Sequence, residues 1–348
     1  MTAQHRSTPN ARKDQRGLSL VELMVAMALG AFITIGIIQM FTANQETYRV
    51  NIGQARMQEG ARFALEFLTS PIRMAGFTGC YSENDIFEAI AGATPPYEAD
   101  FQAGAIAGHE ATAPGVWSPG LGTLPADVQV LVPTDGTDIL TIRTSDPSGA
   151  RLSQPMVTNT DPIVLRNPDD ANAYATGALL VISDCQKGAI FQSTNSTEAG
   201  ATTTIQHVAG AAGVAPGNAV QALSGDGSTY DVDATVHAIE SQVFFIAPGT
   251  GTNNRGNNPL SLWRKSGSAA PVELVEGIED LQVLYGVDSD TDGVPNRYTT
   301  FQNVADLSTV LTMRISITAN SVDVVNETGD GLLRRTFTNT VALRNRIN

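Results

Sequence analysis

The chain is poor in the residues that build most catalytic and metal centres. Its 348 residues include two cysteines and four histidines, which excludes a zinc site made only of cysteines and an iron–sulfur cluster held only by thiolates. Charged residues make up 16% of the chain, against about 25% in an ordinary globular protein. Cations are the scarcer sign, 21 against 35 anions, and the net charge of −14 argues against a general nucleic-acid-binding protein.

Catalytic sequence motifs are also absent. The chain has no nucleophile elbow, no zinc-protease helix motif, no phosphate-binding loop and no dinucleotide fingerprint. The histidines lie far apart, without the short spacing of metal ligands, at positions His5, His109, His207 and His237. We therefore expect a protein that is not an enzyme, although 42% hydrophobic residues provide for a sizeable core.

A long apolar segment near the N-terminus predicts a membrane span. No acidic residue, basic residue or histidine occurs from Leu23 to Gln45, and twenty apolar residues in a helix cross the hydrocarbon layer of about 30 Å. The preceding segment carries four cations, which favour the cytoplasm for the N-terminus: Arg6, Arg12, Lys13 and Arg16. Residues 18–45 are thus predicted to span a bacterial inner membrane once, with the rest of the chain in the periplasm.

Glu22 is out of place in this segment. An ionised carboxylate inside a bilayer costs at least about 2.5 kcal/mol, and no cation lies in the next two turns of the helix. A secretory signal peptide has a shorter apolar run with its cleavage site behind it, whereas here Gly17 precedes the run. The partner of Glu22 must therefore come from another helix or from a newly created amino terminus.

The string from Arg16 to Glu22, RGLSLVE, resembles the class III leader junction of type IV pilins and pseudopilins. The resemblance implies that a prepilin peptidase removes residues 1–17, cutting after Gly17, and methylates Leu18, which stands where the family usually has Phe. Glu22 is then the fifth residue of the mature chain. The new ammonium of Leu18 could pair with Glu22 of a neighbouring subunit, where the low dielectric strengthens their attraction.

Beyond the span, residues 46–75 are predicted to form an amphipathic helix. Apolar residues recur at helical spacing: Met57, Ala61, Ala64, Leu65, Leu68 and Ile72. We expect the helix to continue to about Ser70 and to end or kink at Pro71. Two helices joined near Gly53 are the alternative, because glycine weakens a helix interior.

From residue 76 to residue 348 the pattern is typical of a β-rich head, so the fold class is α+β with a mainly antiparallel sheet. Two Gly-rich stretches, Ala91–Pro125 and Gly249–Asn258, are predicted to be loops. The candidate strands are Asp127–Val132, Asp138–Arg143, Pro162–Arg166, Ala178–Ser183, Ala189–Gln192, Thr202–Val208, Val236–Ala247, Leu260–Arg264, Ile278–Val287, Val310–Thr318 and Arg334–Leu343.

Cys80 and Cys185 lie in the periplasm on this topology. An oxidising compartment favours one disulfide between them; two buried free thiols are the alternative. The bridge would tie the end of the helix to the sheet.

Three further strings resemble the PilW family of minor type IV pilins: Arg73–Cys80, Ser183–Cys185 and Thr340–Asn345. The resemblance implies a structural subunit that contributes to the initiation or assembly of a type IV pilus. Its expected partners are the prepilin peptidase, other minor and major pilins through the N-terminal helix, and the inner-membrane assembly platform. A type II secretion pseudopilin and a membrane-tethered calcium-binding adhesin remain alternatives.

An acidic loop offers one candidate metal site. Asp288, Asp290 and Asp292 occupy positions one, three and five of a pattern that matches the first half of an EF-hand calcium loop, with Asn296 as a further oxygen donor. Thr299 stands where the bidentate Glu belongs, so any calcium site would be weak. A solvated turn rich in Asp is the alternative.

Overall fold

In the computed structural model, the described residues are 19–81, 86–91, 104–166, 168, 170–210, 212–325 and 329–346. The chain divides into two compact units, one ending at Ile52 and one starting at Gly53. The helix α1 (Leu20–Met74) contributes residues to both.

In the first unit, α1 lacks a polar face from Leu23 to Phe41, and a mainly polar stretch follows from Thr42 to Asn51. Every large hydrophobic side chain from Leu20 to Phe41 is at least 51% exposed. The helix is long and apolar enough to cross a membrane, and a helix without a polar face needs lipid or protein around it. The apolar segment predicted from the sequence is therefore helical, as expected.

In the second unit, α1 buries one stripe of side chains. Five of the six residues that the spacing predicts are buried, Met57, Ala61, Ala64, Leu68 and Ile72, and the sixth, Leu65, is half-buried against the core. The helix continues through Pro71 to Met74, which fits the predicted range 46–75, so the end near Ser70 expected from the proline is wrong. Pro71 removes one helical hydrogen bond, but burial of Ile72 in the core holds the last turn in place.

The head contains a short helix, α2 (Ala126–Val130), and seventeen strands in the described residues. In chain order the strands are β1 (Phe87–Glu88), β2 (Ile106–Ala113), β3 (Val116–Ser118), β4 (Ile139–Ser145), β5 (Ala150–Arg151), β6 (Ile163–Arg166), β7 (Leu179–Ser183), β8 (Gly188–Gln192), β9 (Asn195–Ala199), β10 (Thr202–Gln206), β11 (Thr235–Pro248), β12 (Leu260–Ser266), β13 (Val272–Glu276), β14 (Ile278–Val287), β15 (Arg297–Thr299), β16 (Val310–Asn320) and β17 (Arg334–Ala342).

These strands form three sheets. The largest follows the order β1-β8-β7-β11-β4-β2-β3, with β12 and β5 also paired to β11 and β13 paired to β12. The others are β6-β10-β9 and β15-β14-β16-β17. All of these strand pairs are antiparallel except β1 with β8. The predicted α+β class with an antiparallel head is confirmed.

Two local predictions for the head are wrong. The segment Asp127–Val132 is not a strand, since its first part forms α2 and only Val128 among its valines is buried. The stretch Ala91–Pro125 is not wholly a loop, because it contains β2 and β3; residues 92–103 lie outside the described part. Strand β2 is rich in small residues, and Gly108 is needed where a side chain would collide with the hydroxyl of Tyr285.

One main core joins the second half of α1 to the sheets. Its members come from α1, β2, β4, β11, β12, β14, β16 and β17, with Phe244, Tyr285 and Ile315 among them.

Three smaller cores lie elsewhere in the described part of the head, the smallest of them formed by Ile90, Val181 and Ile190. Another lies among β5, β6, β7, β8, β10 and β11, and the third surrounds Trp117 and Trp263.

Asp138 links two of the sheets. Its carboxylate accepts hydrogen bonds from the backbone N–H of Ala111 in β2, at 3.2 Å, and of Val283 in β14, at 2.9 Å. Its own N–H donates to the carbonyl of Leu281 at 2.8 Å. Burial raises the pKa of Asp138 although these two donors oppose the shift. The side chain therefore connects β2 to β14 at a buried position.

Glu110 lies near this link and predicts a pH dependence. Burial and then the negative charge of Asp138 raise the pKa of Glu110 to about 7. The folded protein thus binds this proton more tightly than the unfolded chain, so this contribution to stability is present at pH 5 and lost as the pH rises to 7. We expect the fall in Tm between pH 5 and pH 7 to be smaller for Glu110→Gln than for the wild type, measured on the full chain in detergent.

The change of Tm with pH has to be compared between Glu110→Gln and the wild type, because the buried histidines change the stability with pH in the opposite direction. Burial and then Arg143 lower the pKa of His109 to about 4, so the stability that neutral His109 provides is lost as the pH falls from about 6.5. If the two Tm profiles stayed parallel from pH 5 to pH 7, Glu110 would have an ordinary pKa.

Candidate functional site

The first turn of α1 positions Glu22 by a reciprocal cap. The backbone N–H of Ser19 donates to Glu22 Oε2 at 3.4 Å, and the backbone N–H of Glu22 donates to Ser19 Oγ at 3.1 Å. This is the capping-box arrangement of a Ser followed three residues later by a Glu. Gly17 and Leu18, the predicted processing residues, lie outside the described residues.

The cap gives Glu22 a role inside its own chain. Its carboxylate lies at the positive end of the helix dipole, where a negative charge is stabilised by about 0.3–1 kcal/mol. This is less than the cost of an ionised carboxylate in a bilayer, at least about 2.5 kcal/mol. A positive charge from outside the helix is therefore still needed if Glu22 is buried in an apolar medium.

In the second unit, polar side chains satisfy the C-terminal end of α1. Thr144 Oγ1 in β4 donates to the carbonyl of Met74 at 2.8 Å. Asn345 Nδ2 donates to the carbonyls of Met74, at 3.2 Å, and Ala75, at 3.1 Å. Helix ends leave carbonyls without partners, and residues distant in sequence supply them here.

The turn that follows α1 is held in the same way. The N–H and Oγ of Ser145 both donate to the carbonyl of Phe77, each at 2.8 Å. Ser183 Oγ in β7 donates to the carbonyl of Thr78 at 2.8 Å. We call this set of contacts the helix-end clasp; it consists of residues 74–80 with Thr144, Ser145, Ser183, Cys185 and Asn345.

The disulfide completes the helix-end clasp. Cys80 and Cys185 are bonded, with their Cα atoms 4.8 Å apart. The three strings that the sequence singled out, Arg73–Cys80, Ser183–Cys185 and Thr340–Asn345, therefore meet at the end of α1. Each string supplies one part of the connection between the helix and the sheets.

Gly79 is the tightest point of the helix-end clasp. Its φ of +92° lies in the left-handed region, and an added Cβ would lie 2.1 Å from Ser183 Oγ and 3.2 Å from His237 Nε2. His237 cannot easily move away, since its Nδ1 is bonded to the carbonyl of Asp146 at 2.7 Å and its Nε2 to Thr235 Oγ1 at 2.9 Å. Only glycine fits this position.

We expect Gly79→Ala to destabilise the head by about 2 kcal/mol or more, from backbone strain and a lost hydrogen bond. The matched control is Gly115→Ala, where φ is +71° and no atom lies within 4 Å of the added Cβ. That variant isolates the strain, which costs about 1 kcal/mol. Thermal melts of both variants make the comparison, and equal losses would show that the contact with Ser183 is unimportant.

The acidic loop brings three carboxylates together. One oxygen from each of Asp288, Asp290 and Asp292 lies within 4.8 Å of the others. Asp288 accepts backbone hydrogen bonds from Thr291, at 2.7 Å, and Gly293, at 2.8 Å. Burial opposes ionisation of Asp288, but these donors hold its pKa below the ordinary value.

The fourth predicted donor of this loop has a different neighbour. Asn296 Oδ1 accepts hydrogen bonds from the backbone N–H of Ser289, at 3.3 Å, and from Ser289 Oγ, at 3.1 Å. Thr299 lies in β15, paired with Tyr285. The carboxylates fit a hard cation such as calcium by their chemistry, and the turn is also held by its own hydrogen bonds.

Sequence reasoning missed several residues of these sites. Ser19 could have been found, because the Ser-x-x-Glu pattern of a capping box is visible in the sequence. Thr144, Ser145 and His237 carried no signal, since their roles depend on strands that meet the end of α1 only in the folded head.

Two family models match parts of the chain. Residues 12–38 match the prokaryotic N-terminal methylation motif, and residues 243–345 match the type IV pilus-assembly protein W family, PilW. No curated protein and no solved structure matches the chain. The predicted resemblances to the prepilin junction and to PilW are confirmed.

These matches support a minor-pilin-like protein of the type IV pilus, with a structural role rather than an enzymatic one. The first match contains the capped Glu22, and the second runs from β11 to Asn345 of the helix-end clasp. The apolar helix and the methylation motif fit a membrane-anchored pilin.

Proposed function

We propose that this protein is a minor pilin that is processed at the membrane and helps to start or assemble a type IV pilus. A prepilin peptidase removes residues 1–17 by cutting between Gly17 and Leu18, and Leu18 receives the methyl group. The helix then stays in the inner membrane with the head in the periplasm, until the subunit moves into the pilus.

The observation that carries this proposal is a capped carboxylate at the start of a helix that is exposed and apolar. A helix that only tethers a protein has no use for Glu22, since a carboxylate weakens membrane insertion. A subunit that packs against other helices can use it, because the ammonium of a neighbouring Leu18 neutralises the charge and sets the register between the two chains.

The proposed partners bind the apolar N-terminal part of α1. The apolar part of α1 packs with the helices of other minor and major pilins, and the inner-membrane assembly platform receives the processed subunit. The chain's net charge of −14 makes non-specific DNA binding by this subunit unfavourable.

A deletion strain tests this role. Loss of the protein should strongly reduce surface pili, and the tagged protein should be found in sheared pili as well as in membranes. Normal piliation together with a defect in protein secretion would favour the runner-up, a type II secretion pseudopilin.

We also propose that the acidic loop binds calcium weakly. The support is the donor set: three carboxylates with oxygens within 4.8 Å of one another, of the type that calcium prefers. Without a bidentate Glu at position twelve, the affinity belongs in the range of about 10⁻⁴–10⁻³ M typical of extracellular modules. Calcium would brace the turn between β14 and β15.

Thermal melts of the full chain in detergent test the calcium proposal. Millimolar calcium should raise the Tm, because a ligand that binds only the folded state stabilises it, and magnesium should do so less. The double variant Asp290→Asn and Asp292→Asn should lose the increase, while Asp233→Asn, which changes an exposed Asp outside the loop, should keep it. An equal response of all three proteins would eliminate the site.

A further inference from the structure

Strand β17 is a long edge strand among the described residues. In the described part of the chain it ends the sheet β15-β14-β16-β17. It pairs with β16 through nine consecutive residue pairs without a register shift, from Arg334 to Ala342. Natural proteins usually protect such edges with Pro, bulges or central charges. The middle of β17, residues 336–341, has none of these; it reads TFTNTV.

The side chains on the core face of β17 are incompletely covered. Phe337 packs against the main core but is only half-buried, and Asn339 beside it is also half-buried. The guanidinium of Arg335 lies over the Phe337 ring, 5.2 Å from its centroid. A strand added to β17 would cover Phe337 and complete this side of the core.

The opposite face of β17 carries a row of hydroxyl groups. The hydroxyl groups of Thr338 and Ser316 are hydrogen-bonded at 2.9 Å, and those of Thr336 and Thr318 at 3.0 Å. This row makes the outer face polar and regular, so the sheet could extend by one strand without burying an unpaired charge on that side.

Unpaired cations mark the two ends of the edge. Arg335 and Arg344 are exposed, and neither has an acidic partner among the described residues. Arg334 differs, since it is paired with Glu279 and Asp330. Two arginines without an acidic partner among the described residues therefore lie at one edge of a chain whose net charge is −14.

We propose that β17 is a docking edge for an extended, acidic segment of a partner polypeptide, which joins the sheet as an additional strand. The partner's backbone pairs with the free side of β17. An apolar side chain covers Phe337, threonine-like residues continue the hydroxyl row, and acidic residues near the ends of the segment meet Arg335 and Arg344.

The positive charge of Arg335 and Arg344 favours an acidic partner over a second copy of this chain. An antiparallel second β17 would bring its own Arg335 and Arg344, which would double the positive charge at the edge instead of neutralising it. The edge itself exists whether or not Leu18 is methylated, so this docking can be tested separately from the proposed role in a pilus.

The test uses the full chain in detergent and a fluorescent peptide, Asp-Thr-Val-Thr-Phe-Thr-Val-Thr-Glu. We expect the peptide to bind and to slow hydrogen exchange of the β17 amides, residues 334–342, without slowing those of β15. Arg335→Glu combined with Arg344→Glu should weaken binding about tenfold, from two reversed surface ion pairs. The matched double variant Arg166→Glu and Arg297→Glu, at exposed arginines on β6 and β15, should bind within about twofold of the wild type.

Two control peptides test whether binding needs a strand and acidic ends. A peptide with Pro in place of the central Phe cannot form a strand and should not bind, and a peptide with Lys at both ends should bind more weakly than the acidic one. Failure of the acidic peptide to bind, binding that protects amides outside β17, or equal binding of the Pro peptide would overturn the proposal. Protection of β17 that rises with protein concentration without peptide would identify a second copy as the occupant instead.

Discussion

Glu22→Ala is expected to remain membrane-inserted and to be cut after Gly17, yet to be strongly depleted from pili. Removing the carboxylate makes the apolar helix easier to insert. In an assembled bundle, however, the neighbouring ammonium loses its partner, and breaking a buried ion pair in this way costs about 3–5 kcal/mol. Quantitative immunoblots of membranes and sheared pili from the same cells measure the ratio.

Two further variants separate this intermolecular charge from the helix cap. Glu22→Gln can still accept a hydrogen bond from Ser19 but carries no charge, so it should fail in assembly like Glu22→Ala. Ser19→Ala keeps the charge and loses one half of the cap, which costs about 1 kcal/mol, and it should assemble nearly as well as the wild type. If Ser19→Ala failed and Glu22→Gln assembled, the carboxylate would serve the helix end and not a neighbouring subunit.

Removing the disulfide is expected to lower the stability of the head strongly. Cys80 and Cys185 are 105 residues apart, and closing a loop of that size stabilises a protein by about 4.7 kcal/mol in the chain-entropy model. We expect the double variant Cys80→Ala and Cys185→Ala to lose about this much stability, which lowers the Tm of the head by about 8 °C. Thermal melts of the full chain in detergent measure the change.

Reductant provides the control for this prediction. The wild type melted in reductant should match the double variant, because both lack the same covalent link, and reductant should not change the Tm of the double variant. A wild-type Tm that reductant leaves unchanged would mean that the non-covalent contacts of the helix-end clasp hold the end of α1 unaided.

The parts of this structure that were predictable have short-range patterns. The apolar run from Leu23, the buried stripe from Met57 to Ile72 and the alternating strands β14 and β16 each repeat with the period of their own element, so nearby residues suffice to identify them. Cys80 and Cys185 could be paired because the chain has no other cysteine.

The parts that were not predictable depend on distant contacts. Strand β2 looked like a loop because it is rich in small residues of low β propensity, of which Gly108 is required by the close approach of Tyr285. α1 passes Pro71 because the core beneath Ile72 and the partners of Met74 stabilise the last turn more than one missing hydrogen bond weakens it. In both cases the local structure depends on contacts with residues that are distant in the sequence.

Mass spectrometry of the protein's own N-terminus, from membranes and from sheared pili, tests whether the chain is processed after Gly17. We predict that the mature chain starts at Leu18 with one added methyl group in both fractions, and that Gly17→Val leaves only a precursor retaining residues 1–17 in the membrane. An N-terminus at Met1 in wild-type pili, or a cut beyond residue 40, would contradict the account.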